Sequence, residues 1–244
     1  MSGGLGNAAL LAVIAVVPIV LLMMTSFVKI SVVLSLVRNA IGAPDAPSGL
    51  VVTGLSLILT FFVMAPVAIE MTRAAAEPAA ASAPAGASTP AGANAPAGAS
   101  TPSGQPIDVE SAVRSLLPPE YRPQVDAVAR GLGPLRAFLT RHASARDRET
   151  FTALATRMDH AVAGDEIWVL APAFVTTELR EAFAIAVLVF VPFLIIDLVV
   201  GLGLASLGLT STSPQTVALP LKLLLFVAVD GWRLLIDGLL RGYA

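Results

Sequence analysis

Three apolar stretches of this chain are each long enough to cross a lipid bilayer: Ala8–Val28, Gly49–Ile69, and a C-terminal block from Ala182 to Gly231. A spanning helix needs about 20 mostly apolar residues, because it rises about 1.5 Å per residue through about 30 Å of hydrocarbon. The last block is interrupted only by Asp197, Lys222 and Asp230. Hydrophobic residues make up 56% of the chain and charged residues only 13%, against about 25% charged in an ordinary soluble domain. The chain therefore reads as a membrane-system protein, and its few embedded charges are the residues to explain. A net charge of -2 argues for neither nucleic acid nor an acidic ligand. Without cysteine there is no disulfide, no thiolate nucleophile and no cysteine-ligated metal.

The pattern predicts an all-α fold: long kinked helical hairpins, a small amphipathic helical insert and a disordered Ala/Pro/Gly linker. Met1–Asn7 has no Lys or Arg, so the first apolar stretch reads as retained and not as a cleaved signal. A first helix is expected from about Asn7 to Ala40, kinked at Pro18. The breakers of residues 42–47 make a turn, and a second helix follows from about Ser48 to Ala76, kinked at Pro66. Residues 1–76 thus form an N-terminal apolar hairpin.

Residues 77–106 form the linker. Its six-residue repeat begins at Pro84, Pro90, Pro96 and Pro102 and holds no side chain able to anchor a core. Residues 107–168 are charged. Val125, Val128, Leu132, Leu135 and Leu139, then Phe151, Leu154 and Met158, fall at helical spacing, interrupted by Gly131, Gly133 and Pro134. They read as short amphipathic helices needing a partner surface, with interleaved acids and arginines as a solvated face. Residues 169–244 form a C-terminal apolar hairpin. Its first helix is expected to be capped at Thr176 or Thr177, with Glu178 and Glu181 near the positive end of its dipole. Leu209–Ser213 breaks the pair, Ser213-Pro214 restarts it, and the last helix runs to about Gly242.

No phosphate loop, nucleophile elbow or zinc-protease motif occurs. His142 and His160 lack ligand spacing and read as surface histidines. The chain therefore reads as a non-enzyme without cofactor or metal. Lys29, Arg38 and Asp230 are expected as buried charges, Lys29 meeting an acidic group or helix carbonyls; snorkelling to an interface is the alternative for both basic residues and the favoured one for Arg38. Asp197 and Lys222 lie at similar depth on consecutive helices. They are expected to pair, across neighbouring subunits; separate backbone partners at proline kinks are the alternative. Asp230 and Arg233 could compete as partners.

Several strings carry a family resemblance: Leu22-Met-Met-Thr-Ser-Phe-Val-Lys-Ile-Ser-Val-Val-Leu34, Leu36-Val-Arg-Asn-Ala-Ile-Gly42, and Leu170-Ala-Pro-Ala-Phe-Val-Thr-Thr-Glu-Leu179. Phe190-Val-Pro-Phe-Leu-Ile-Ile-Asp-Leu198 and Leu219-Pro-Leu-Lys-Leu-Leu-Leu-Phe226, running into Val229-Asp-Gly-Trp232, follow in the same order. The chain resembles the FliP/SctR (YscR/HrcR) family of flagellar and injectisome type III secretion.

The resemblance implies a structural, pore-forming subunit of the export gate, a channel for unfolded secreted proteins. It implies a pentamer with the S and T components (FliQ- and FliR-like), contact with the U and V components, and no nucleic acid. It also implies that apolar helices are covered largely by neighbouring subunits above the bilayer plane. Family members carry a methionine gasket where this chain has Leu209, Thr210 and Ser211. The Lys29–Leu34 string and the missing signal tilt the resemblance toward the injectisome. The positive-inside rule places the first loop, near Lys29 and Arg38, in the cytoplasm, and residues 77–175 on the periplasmic side of the bacterial inner membrane. The alternative is a small-solute secondary transporter, which also uses broken apolar helices with lone charges.

Overall fold

The computed structural model describes residues 18–42, 48–77, 122–158, 164–209 and 211–243. The start of the first apolar stretch, most of the first turn, the Ala/Pro/Gly repeat, His160 and Thr210 lie outside the described residues. All the regular structure described is helical. The helices are α1 (Phe27–Ile41), α2 (Gly49–Ala76), α3 (Arg122–His142), α4 (Ala145–Arg157), α5 (Ile167–Ser206), α6 (Pro214–Ala228) and α7 (Gly231–Arg241). They fall into two compact units, one of residues 1–65 and 174–244 and one of residues 66–173. The division cuts through α2 and α5.

α1 is the centre of the first unit. Ile30, Val33, Leu34, Val37 and Ile41 repeat at helical spacing and are buried. They share one core with Val52 and Leu59 of α2, Ala182 and Phe193 of α5, Phe226 of α6, and Leu235 and Leu239 of α7. The first helix differs from its expected form. Residues 18–23 are helical, Met24–Ser26 break the run, and α1 starts at Phe27. The break lies at Thr25-Ser26, and the residues before Pro18 lie outside the described ones. Thr25 donates to Leu22 O at 2.6 Å and accepts from Phe27 N at 3.3 Å, a local alternative to continuing the helix. At the other end, Gly42 takes the left-handed conformation and its N–H bonds Asn39 O at 3.1 Å.

α2 and α5 are long and apolar enough to cross a membrane. α2 begins one residue after the expected Ser48. It buries only a narrow stripe, Val52, Ser56, Leu59 and Thr60. The two hydroxyls are satisfied on their own helix, Ser56 to Val52 O and Thr60 to Ser56 O.

α5 corrects a capping expectation. It starts at Ile167 and runs unbroken to Ser206. Thr176 and Thr177 are therefore interior positions, and Glu178 and Glu181 lie far from the dipole's positive end. Pro172 is the sixth residue of the helix, past the first turn whose N–H groups lack a partner within the helix, and the helix continues through it.

The last helix is two helices. α6 starts as expected, with Ser213 as N-cap and Pro214 at its first position. It ends at Ala228, and Asp230, with φ 51°, turns the chain into α7. A Cβ on Gly231 would lie 2.3 Å from the Phe226 ring, so only glycine fits. That ring meets Trp232 edge-on, 5.4 Å between centroids.

In the second unit, α3 is one continuous helix despite Gly131, Gly133 and Pro134. Leu135, Phe138 and Leu139 are buried with Ala155 of α4 and Val169 and Leu170 of α5. α3 passes close to α2 at Gly131, where a Cβ would stand 3.3 Å from both Ala75 Cβ and Met71 O. Ser144 caps α4, accepting from Asp147 N and donating to the Asp147 carboxylate. Val128, Leu154 and Met158 are exposed, so the apolar spacing exceeds what this unit buries.

Candidate functional site

Each end of α1 is held by a buried lysine contact. Lys29, in the first turn, is 1% exposed. Its ammonium lies 3.3 Å from Glu178 Oε2 and 2.6 Å from Glu181 Oε2. The two carboxylates are three residues apart on α5 and so share a face. The Tyr243 ring, just beyond α7, covers the third side of the ammonium at 4.3 Å from its centroid. Tyr243 also donates its hydroxyl to Glu178 Oε2. Burial, reinforced by the Glu178 carboxylate, pushes the Tyr243 phenol up, so the hydroxyl stays protonated and remains a donor. Glu178 is as buried as Lys29, whereas the Glu181 side chain is about half exposed.

At the far end of α1, Lys222 on α6 donates to Asp197 Oδ2 on α5 at 2.7 Å and to Ala40 O at 3.2 Å. Ala40 lies in the last turn of α1, whose carbonyls have no partner within the helix. Lys222 thus acts as a cap supplied by another helix, at the negative end of the α1 dipole. The expectation placed this ion pair across two subunits; here both partners belong to one chain. Along the sequence, Asp197 lies ten residues before Leu207 and Lys222 nine after Ser213, at comparable distances from the connection between α5 and α6. Burial differs between the partners: Lys222 is buried, while the Asp197 side chain is 37% exposed.

The other expected site residues lie apart. Arg38 is half-buried, not buried, and its Nη1 approaches the backbone of Gly49. With Leu34, Val37, Val51 and Trp232 it lines a cleft of about 20 Å³, room for one water. Asp230 is exposed, correcting its expected burial, because α6 ends there and the chain turns outward. It stands outside the Lys222 contact. Leu209 and Ser211 are exposed at the turn between α5 and α6.

Glu178, Glu181 and Tyr243 are the site residues that sequence reasoning missed. The available signal was the lone Lys29 in an apolar helix, which demands an acid, and Glu181 directly precedes the C-terminal apolar block.

Known proteins resemble this chain along most of its length. The FliP family model matches residues 10–98 and 102–239. The flagellar biosynthetic protein FliP of Pectobacterium carotovorum subsp. carotovorum is 40% identical over 237 residues, 96% of this chain and 76% of that protein. The hypersensitivity response secretion protein HrcR of Ralstonia nicotianae is 35% identical over 236 residues, covering 94% and 93% of the two chains. The Yop proteins translocation protein R of Yersinia pestis is 33% identical over 240 residues, covering 96% and 93%. This chain spans about half the length of two flagellar relatives from Buchnera aphidicola. The named relatives are flagellar and type III secretion export proteins, and with the family model matching nearly the whole length, this chain belongs to the FliP family.

Proposed function

We propose that the chain is a structural, pore-forming subunit of a type III secretion export gate. Five copies assemble with S- and T-type components, and with U and V components nearby, into a channel for unfolded proteins. The observation that carries this reading is the division of charge and apolar surface. Lys29 and Lys222 are buried and paired within the chain, Lys222 with the part-exposed Asp197. Long outer faces of α2, α5 and α6 are left apolar, among them Phe61, Leu188, Leu198 and Leu224. Apolar surface on this scale needs a cover, and neighbouring subunits or lipid provide it. A solute transporter would need some of those charges free to hold a solute.

We assign the protein to the bacterial inner membrane as a multi-pass protein, with the second unit toward the periplasm. We favour the injectisome over the flagellum on the Lys29–Leu34 string. The segment Leu209–Ser211, with Leu209 and Ser211 exposed, is the assigned seal, and Leu209 is its apolar barrier.

Native mass spectrometry of the detergent-purified protein, co-expressed with its genomic neighbours, tests the assembly. A complex containing five copies is expected. A monomer or dimer that moves a small solute into liposomes would overturn the reading. Planar-bilayer conductance tests the seal: Leu209→Gly is expected to raise the resting leak of the assembled complex, and methionine at residues 209–211 to lower it. Unchanged conductance in both would remove the loop from the seal.

A further inference from the structure

Among the described residues of the first unit, Arg233 is the one base whose side chain has no partner. Lys29 and Lys222 hold acids, Arg241 holds Asp237 at 2.7 Å, and Arg38 and Arg180 also have contacts. Arg233 stands on the outer face of α7, opposite the buried Leu235, with the exposed Trp232 and Leu234 on either side. Aromatic residues and arginine are enriched where proteins meet one another.

α5 offers a face of the opposite sign. Leu194, Asp197, Leu198 and Gly201 share one side of the helix by their spacing, and both leucines are exposed. Asp197 gives one oxygen, Oδ2, to Lys222, and the other has no partner among the described residues. An apolar cover here would strip water from that oxygen and return nothing, so the cover has to bring a donor. A Cβ at Gly201 would meet no other group, which leaves a notch beside the carboxylate for a long side chain.

We propose that a second copy of this chain covers this face, laying the Trp232-Arg233-Leu234 edge of its α7 over Leu194 and Leu198 so that Arg233 reaches Asp197. The inference rests on the export-gate reading and adds the surfaces through which its copies meet. An odd number of copies cannot close through self-complementary contacts alone, so two different patches of the chain must meet. These two match: an arginine between apolar side chains against a carboxylate between apolar side chains. The arginine fork takes the free carboxylate oxygen while Lys222 keeps the other. An anionic lipid headgroup would suit Arg233 but has the wrong sign for Asp197.

The chain has no cysteine, so introduced ones report without background. Leu198→Cys and Leu234→Cys variants, differently tagged, are co-expressed with the genomic neighbours, and the purified complex is oxidised. A disulfide dimer carrying both tags is expected from the mixture, and no dimer from either variant alone. Leu194→Cys with Leu234→Cys serves where position 198 disturbs assembly. Adding Arg233→Glu to the Leu234→Cys chain is expected to cut the cross-link about tenfold, because it sets like charges face to face. A dimer from Leu234→Cys alone would show a self-complementary contact and overturn the proposal, as would a cross-link undiminished by Arg233→Glu. Five copies by native mass spectrometry with no cross-link from either pair would overturn it and leave the gate reading standing, with the α7 edge left to lipid headgroups. Absence of a five-copy complex from the unaltered chain would overturn both.

Discussion

Lys29 has three ammonium hydrogens and three partners, so each partner can be removed separately. Lys29→Met leaves Glu178 buried with only the Tyr243 hydroxyl and a like charge nearby. The expected loss is about 3–5 kcal/mol, the usual cost of breaking a buried pair from one side. Tyr243→Phe keeps the ring over the ammonium and loses only the hydrogen bond to Glu178. It is expected to cost about 1.5–3 kcal/mol, the range for hydrogen bonds to charged groups. Chemical denaturation of the detergent-solubilised protein checks the order, which would be wrong if both changes cost the same. At the other end of α1, Asp197→Lys and Lys222→Asp should each block assembly on native gels and together partly restore it. Lys222→Asp is expected to be the harsher change, because it also takes the cap from Ala40 O, whereas half-exposed Asp197 is screened by water. No rescue, with either single change tolerated, would remove the pair from the argument. The Asp197–Lys222 contact was legible in the sequence because both residues interrupt apolar runs at matched heights above a turn. The Lys29 partners were not, because Glu178 and Glu181 follow two threonines and so resembled the first turn of a helix.

At the scale of elements, apolar periodicity and proline placement located α2 to within a residue and the start of α6 outright. The misjudged boundaries share a cause: each depends on packing or on local hydroxyl chemistry. Thr25 ends a helix through its own hydrogen bonds, and Asp230 ends one by entering the left-handed region. α5 begins earlier than expected because Leu170, Ala173 and Phe174 are buried and hold its first turns in place. α3 runs through Pro134 because Leu135, Phe138 and Leu139, around and beyond it, are anchored in the core. The α6–α7 joint is testable by size. Gly231→Ala places a methyl against the Phe226 ring and is expected to cost about 1–3 kcal/mol, the range for overpacking a tight site. Adding Phe226→Leu should recover part of that loss in thermal melts. An additive double change would show that the ring is not what excludes the methyl.

At the scale of the whole chain, the repeat and the charged segment after it stand between two apolar regions of the sequence. Residues 78–106 contain no side chain able to anchor a core, so deleting them is expected to leave the assembled complex intact on native gels. Loss of the complex would assign the repeat a structural part. The all-helical class was readable from composition and periodicity. The split into two units was not, because it passes inside α2 at Pro66 and inside the first turns of α5 beside Pro172, and a lone proline within an apolar helix reads as a kink and not as a boundary.

The contacts that hold α1 also impose an order in time. Lys29 is made early in synthesis, whereas Glu178, Glu181, Asp197, Lys222 and Tyr243 are all made late. Until those residues leave the ribosome, the Lys29 ammonium has water as its only good partner and the end of α1 has no cap from α6. The nascent first helix therefore has to linger at a hydrated boundary, or be sheltered there, while most of the chain is still being translated. Its departure from water is coupled to the arrival of the last helices, so a ribosome stalled before residue 178 leaves a hairpin unable to settle.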